Sequence, residues 1–114
     1  MIPGTVYTLE REGQVLGTLT VTDTDRFAVH GTFDATPAFA PYRALFEEEA
    51  RLSSRLAEDE SLSLLEKAED VLEEILALGL VLRRSAGTGY RNVLISIEGT
   101  RAGFRPLSPE EEPL

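Results

Sequence analysis

The sequence predicts an α+β domain: an antiparallel sheet of about five or six strands, in the order βββααβββ, with two amphipathic helices on one face. Three observations carry that expectation. The first third of the chain and most of the stretch after Gly79 alternate apolar and polar residues in period two, the spacing that lines one face of a strand. Between them, apolar residues recur every three or four positions, the spacing of a helix with one buried stripe. Strands and helices come in blocks rather than in strict alternation, which favours an antiparallel sheet over a parallel one.

Thr5-Val6-Tyr7-Thr8-Leu9 is rich in β-branched and aromatic residues, and in Val15 to Thr22 one face takes Val15, Gly17, Leu19 and Val21. Arg11-Glu12-Gly13-Gln14 joins these two runs as a hairpin turn. Asp23-Thr24-Asp25 reads as a second turn, and Phe27, Val29, Gly31 and Phe33 alternate along a third strand. Thr36-Pro37 opens a short turn over 37–39, and Pro41, which lacks an N–H, delays a proper helix to Pro41 or Tyr42. Leu45, Phe46, Leu52 and Leu56 are that helix's buried stripe. Glu58-Asp59-Glu60 interrupts it, and Ser61 or Ser63 caps a second helix with Leu65, Ala68, Val71, Leu72, Ile75 and Leu76 in register. Gly79 stands where a left-handed residue stops a helix. Strands follow over 80–84, from Tyr90 to Glu98, and over 101–106, with Ser85-Ala86-Gly87-Thr88-Gly89 and Gly99-Thr100 as turns. Residues 1–107 form one domain, and 108–114, three glutamates between prolines, read as a disordered acidic tail.

With 114 residues, 42% hydrophobic and 27% charged, the chain can bury a core and is not disordered as a whole. It has no cysteine, which removes disulfides, thiolate metal sites and a cysteine nucleophile. Ile75 to Leu82, the longest apolar run, is too short to span a membrane, and the first residues lack the layout of a signal peptide. The expectation is a soluble, cytoplasmic protein. Its net charge of -9 is uneven: -3 over residues 1–40, -7 over 41–79, +4 over 80–107 and -3 in the tail. An acidic whole repels phosphate backbones, so nucleic acid is a poor partner for the bulk surface.

Five features bear on chemistry, each with a plainer reading beside it. His30 is the one side chain that changes charge near neutral pH at its ordinary pKa, and Asp23, Asp25 or Asp34 can orient it as a general base. The plainer reading is a strand histidine on the wetter face of the sheet. Asp23-x-Asp25 starts like a carboxylate metal loop, but Arg26 and Phe27 break the pattern, leaving a capped turn and no metal site. Gly87-Thr88-Gly89 lacks the following helix that a phosphate cradle needs. Glu66, Glu69, Asp70, Glu73 and Glu74 form a solvated helix face. Arg83, Arg84, Tyr90, Arg91 and Arg105 make a basic, aromatic patch suited to a carboxylate, a phosphate or a single nucleic-acid strand. Its plainer reading is pairing with the acidic helices. No catalytic constellation and no cofactor motif emerges.

Several stretches carry a resemblance: Leu9-Glu10-Arg11-Glu12-Gly13 with Leu16-Gly17, Phe33 with Thr36-Pro37-Ala38-Phe39, Leu45-Phe46, and Ile95-Ser96-Ile97-Glu98-Gly99 leading to Arg101-Ala102. Together they resemble a group of small uncharacterised bacterial α+β proteins. Those relatives carry a tryptophan-bearing apolar pair where this chain has Arg26-Phe27 and Phe104-Arg105. The resemblance implies an α+β fold and transfers no catalytic residue.

The reading that results is a small non-enzymatic module, regulatory or of the immunity type, that binds another protein at an exposed sheet edge. A homodimer through such an edge is compatible with it. The alternatives are a small-molecule binder or hydrolase with a pocket near His30, and nucleic-acid binding through the arginine-bearing C-terminal strands.

Overall fold

Glu12 and Gly13 both take positive φ, at 51° and 82°, and Arg11 faces Gln14 directly across the turn. That is the two-residue geometry whose twist matches paired strands, and it joins β1 (Val6–Arg11) to β2 (Gln14–Thr24). The computed structural model describes residues 2–26, 28–91, 93–107 and 110–114. Phe27 of the expected third strand, and Ser108 and Pro109 of the tail, lie outside them. The third strand, β3 (Val29–Ala35), pairs with β2, and a bulge between Val21 and Asp23 turns the end of β2.

A 3-10 segment of about two turns (Pro37–Tyr42) precedes helix α1 (Arg43–Glu58), as the missing N–H of Pro41 requires. Helix α2 (Leu62–Ala77) follows and stops before Gly79, whose φ is 67°. Five strands complete the chain: β4 (Val81–Arg83), β5 (Thr88–Arg91), β6 (Leu94–Glu98), β7 (Arg101–Arg105) and β8 (Glu112–Pro113). All join one antiparallel sheet in the order β6-β7-β3-β2-β1-β4-β5-β8.

This corrects the expected sheet in two ways. It has eight strands rather than five or six. The single strand expected from Tyr90 to Glu98 is two strands, β5 and β6, six places apart in the order. The reason is a change of parity: Tyr90 and Val93 are both buried, which one continuous strand cannot arrange because neighbours an odd number apart face opposite sides. Within the tail, Glu112 and Pro113 pair with β5.

The connection between β5 and β6 dictates the sheet's shape. Six strand spacings separate them, about 29 Å in a flat sheet, yet only residues 92 and 93 intervene, a reach of at most about 11 Å. The sheet must therefore curl into a half-barrel. Its inner face shows the result: the Tyr90 ring on β5 lies 5.8 Å from Phe104 on β7, and Tyr7 on β1 lies 5.5 Å from the same ring. Around them Leu19, Val21, Leu82, Ile95 and Ile97 are buried. A second aromatic run, Phe33 to Phe39 at 5.1 Å and Phe39 to Phe46 at 5.5 Å, ties β3 through the 3-10 segment to α1. Ile75 and Val71 bring α2 against this core. No helix of the described residues is long and apolar enough to cross a membrane.

Candidate functional site

The two ends of the sheet order place the chemically interesting side chains. At one end β8 lies along β5, with Thr88 opposite Pro113 and Gly89 opposite Glu112. The Leu114 N–H donates to the Gly87 carbonyl at 2.9 Å, extending the ladder to the last residue. Side chains add to the backbone contact. The buried Tyr7 hydroxyl donates to Glu111 Oε1 at 2.9 Å, and the Arg84 guanidinium donates to Glu111 Oε2. Arg91 pairs with Glu112 at 2.8 Å. Arg84 Nη2 also reaches the Thr88 hydroxyl at 3.4 Å, while its Nε is buried without a hydrogen-bond partner among the described residues. Burial first, then the hydrogen bond and charge of Glu111, push the Tyr7 hydroxyl far above the ordinary tyrosine value. Burial and the same carboxylate raise Tyr90 as well.

The basic patch expected from the sequence is thereby divided. Arg84, Tyr90 and Arg91 stand together at the β5 edge, with the Tyr90 ring turned inward. Arg83 donates instead to Glu10 on β1 at 3.0 Å. Arg105 lines a groove elsewhere. The ion pairs of Arg83, Arg84 and Arg91 are intramolecular, but their partners are β1 and the tail rather than the acidic helices. The sequence reading missed Tyr7, taken as a strand residue, and Glu111, taken as part of a disordered tail. The signal for Glu111 was charge, a tail of -3 following a segment of +4; the uncharged Tyr7 left none.

At the other end, the outer face of β3, β7 and β6 forms the floor of an open groove of about 850 Å³, walled by α1 and by Leu72 of α2. His30, Gly103 and Ser96 face one another in register across the three strands. His30 Nε2 hydrogen-bonds Asp25 Oδ2 at 2.8 Å, and Asp25 Oδ1 accepts the Ala28 N–H at 2.8 Å. Of the three aspartates expected near His30, the turn therefore selects Asp25. On the wall, Phe46, Glu49, Ala50 and Ser53 share one helix face by their spacing; it begins in the core at Phe46 and ends in the groove. The Ser96 hydroxyl donates to Glu49 Oε1 at 2.8 Å, whereas Glu49 Oε2 is buried with no hydrogen-bond partner among the described residues. The described residues contain no group of three or more side chains poised to hold a metal ion.

No protein-family model matches the chain, and no curated protein or solved structure matches it either.

Proposed function

We propose that this chain is a non-enzymatic protein-binding module that takes up an acidic, extended segment of a partner protein as an added antiparallel strand on β5. The observation that carries the reading is the chain's own tail, which occupies this edge through both backbone and charge: Glu112 and Pro113 pair with β5, and Glu111 and Glu112 meet Arg84 and Arg91. Strand addition draws affinity from main-chain hydrogen bonds and specificity from side chains. Here Arg84, Arg91 and the Tyr7 hydroxyl select carboxylates. The tail then acts as a tethered competitor whose effective concentration is on the order of millimolar, so a partner gains access by offering a longer or more acidic strand.

The pairing of Arg83, Arg84 and Arg91 with carboxylates favours this reading over nucleic-acid binding, which draws on unneutralised cations. The test deletes residues 108–114 and titrates a fluorescent peptide of the sequence Ser-Pro-Glu-Glu-Glu-Pro-Leu. The shortened chain binds it saturably, the full chain binds at least tenfold more weakly, and Arg84→Glu abolishes binding. A folded, shortened chain that shows no saturable binding overturns the proposal. So does a full-length homodimer that exchanges tails, because the edge then belongs to a second copy.

A further inference from the structure

The groove beside α1 holds opposite charges that the protein leaves uncombined. Glu49 is oriented by the Ser96 hydroxyl on one oxygen, and its other oxygen is buried without a donor among the described residues. A buried carboxylate oxygen without a donor is costly, because it has lost water and gained nothing in return. Arg101 lines the same groove, and among the described residues it makes no ion pair. It sits two residues along β7 from Gly103, which faces Ser96, so about 7 Å of strand separates the Ser96–Glu49 contact from the Arg101 position. Ala50, Leu72 and Leu94 contribute apolar wall, Leu94 on the side of Ser96 away from Arg101, and Glu98 stands opposite Arg101 in register.

We infer that this groove binds a small zwitterion, a free amino acid with an apolar side chain, its ammonium group on Glu49 and its carboxylate on Arg101. With a turn of the carboxylate, the ammonium supplies the donor that Glu49 Oε2, closed to water at rest, lacks, and the guanidinium matches the ligand carboxylate's paired oxygens. A volume of about 850 Å³ is in the range of small-molecule sites, where a largely apolar wall carries a few convergent polar groups. His30 closes the opposite rim. Its imidazole leans over β7, where Gly103 leaves room: a Cβ on Gly103 would lie 3.2 Å from His30 Nδ1. The Asp25 carboxylate then holds the ring from its far side at Nε2. The site is independent of the β5 edge, so it stands or falls separately from the peptide-binding reading.

The test uses the full chain and the twenty standard amino acids, each titrated while the backbone amide resonances are followed, with calorimetry on those that shift them. At least one apolar amino acid, with L-leucine the first probe, binds saturably below about 1 mM. Isopentylamine and 4-methylpentanoate, which each keep one of leucine's two charges, bind at least tenfold more weakly. Glu49→Gln and Arg101→Gln each cost at least tenfold in leucine affinity while the melting temperature stays within a few degrees. The inference is overturned if none of the twenty binds below 10 mM, if isopentylamine binds as tightly as leucine, or if either variant binds leucine unchanged.

Discussion

The two ends of the sheet treat charge in opposite ways. At β5, Glu111 and Glu112 of the tail meet the guanidinium groups of Arg84 and Arg91. At β6, a buried carboxylate oxygen on Glu49 and the Arg101 side chain share a groove without meeting. The first arrangement pairs its charges, with Arg84 Nε alone left without a partner among the described residues, and has to be opened to bind. The second is open, and a ligand completes it. The contrast shows that ion pairs alone do not mark a site: exposed pairs such as Arg91–Glu112 contribute at most about 1 kcal/mol. Among the described residues each end holds one buried atom without a hydrogen-bond partner, Arg84 Nε and Glu49 Oε2, and what distinguishes the groove is that it stands open.

The comparison rests on both ends sharing one core, and Phe104 is where that can be broken. Its ring is buried and touches Tyr7 and Tyr90, whose hydroxyl groups are raised in pKa beside Glu111, while its backbone belongs to the strand that floors the groove. Phe104→Ala should cost about 3–5 kcal/mol, a large share of the 5–15 kcal/mol typical of a domain, and should weaken peptide and amino-acid binding together. Urea unfolding followed by circular dichroism measures the first effect. A loss below about 1 kcal/mol means that the aromatic trio does not hold the curl, and the two ends are then separate structures.

The pH dependence sharpens the β5 side. The folded values of Tyr7 and Tyr90 lie above the ordinary value of 10.0, so the folded state holds these protons more tightly than the unfolded chain does. Their contribution to stability is therefore complete below pH 10 and is lost as the pH climbs from there through the raised folded values. Urea midpoints should hold up to about pH 10 and fall above it, and Tyr7→Phe should flatten that fall while costing about 1 kcal/mol at neutral pH through the lost hydrogen bond to Glu111. Deleting the tail should leave most of the alkaline fall in place, because burial is the larger cause of the Tyr7 shift and Glu111 the smaller. If the deletion removes the fall entirely, the tail rather than the core sets the state of Tyr7.

How much of this was legible follows the same division. Local signals read well: the Glu12-Gly13 turn, the delay of α1 to Arg43 by Pro41, and the stop at Gly79 each depend on a few adjacent residues. Strand order did not, because pairing is set by partners far along the chain. The split between β5 and β6 did leave a trace, the parity change from Tyr90 to Val93, which shows only once both are known to face inward. His30 stood out by composition, but Glu49 did not. It is one of eleven acids over residues 41–79, and only the packing of α1 against β6 gives it Ser96 as a partner and hides its second oxygen.

The smallest expected effect isolates the groove from the rest of the protein. In Gly103→Ala the added methyl would lie 3.2 Å from His30 Nδ1, closer than ordinary contact, so the half-exposed imidazole must tilt outward. Because the ring can move into solvent, stability should change by less than about 1 kcal/mol. The hydrogen bond between His30 and Asp25 depends on where the ring lies, so it should lengthen, and the imidazole resonances of His30 should shift. The tail is untouched, so peptide binding by the shortened chain should keep its affinity, while amino-acid binding should fall several-fold as the rim of the groove moves. Equal losses at both sites would mean that Gly103 matters to the sheet as a whole, and that the groove is not the independent element its unpaired charges indicate.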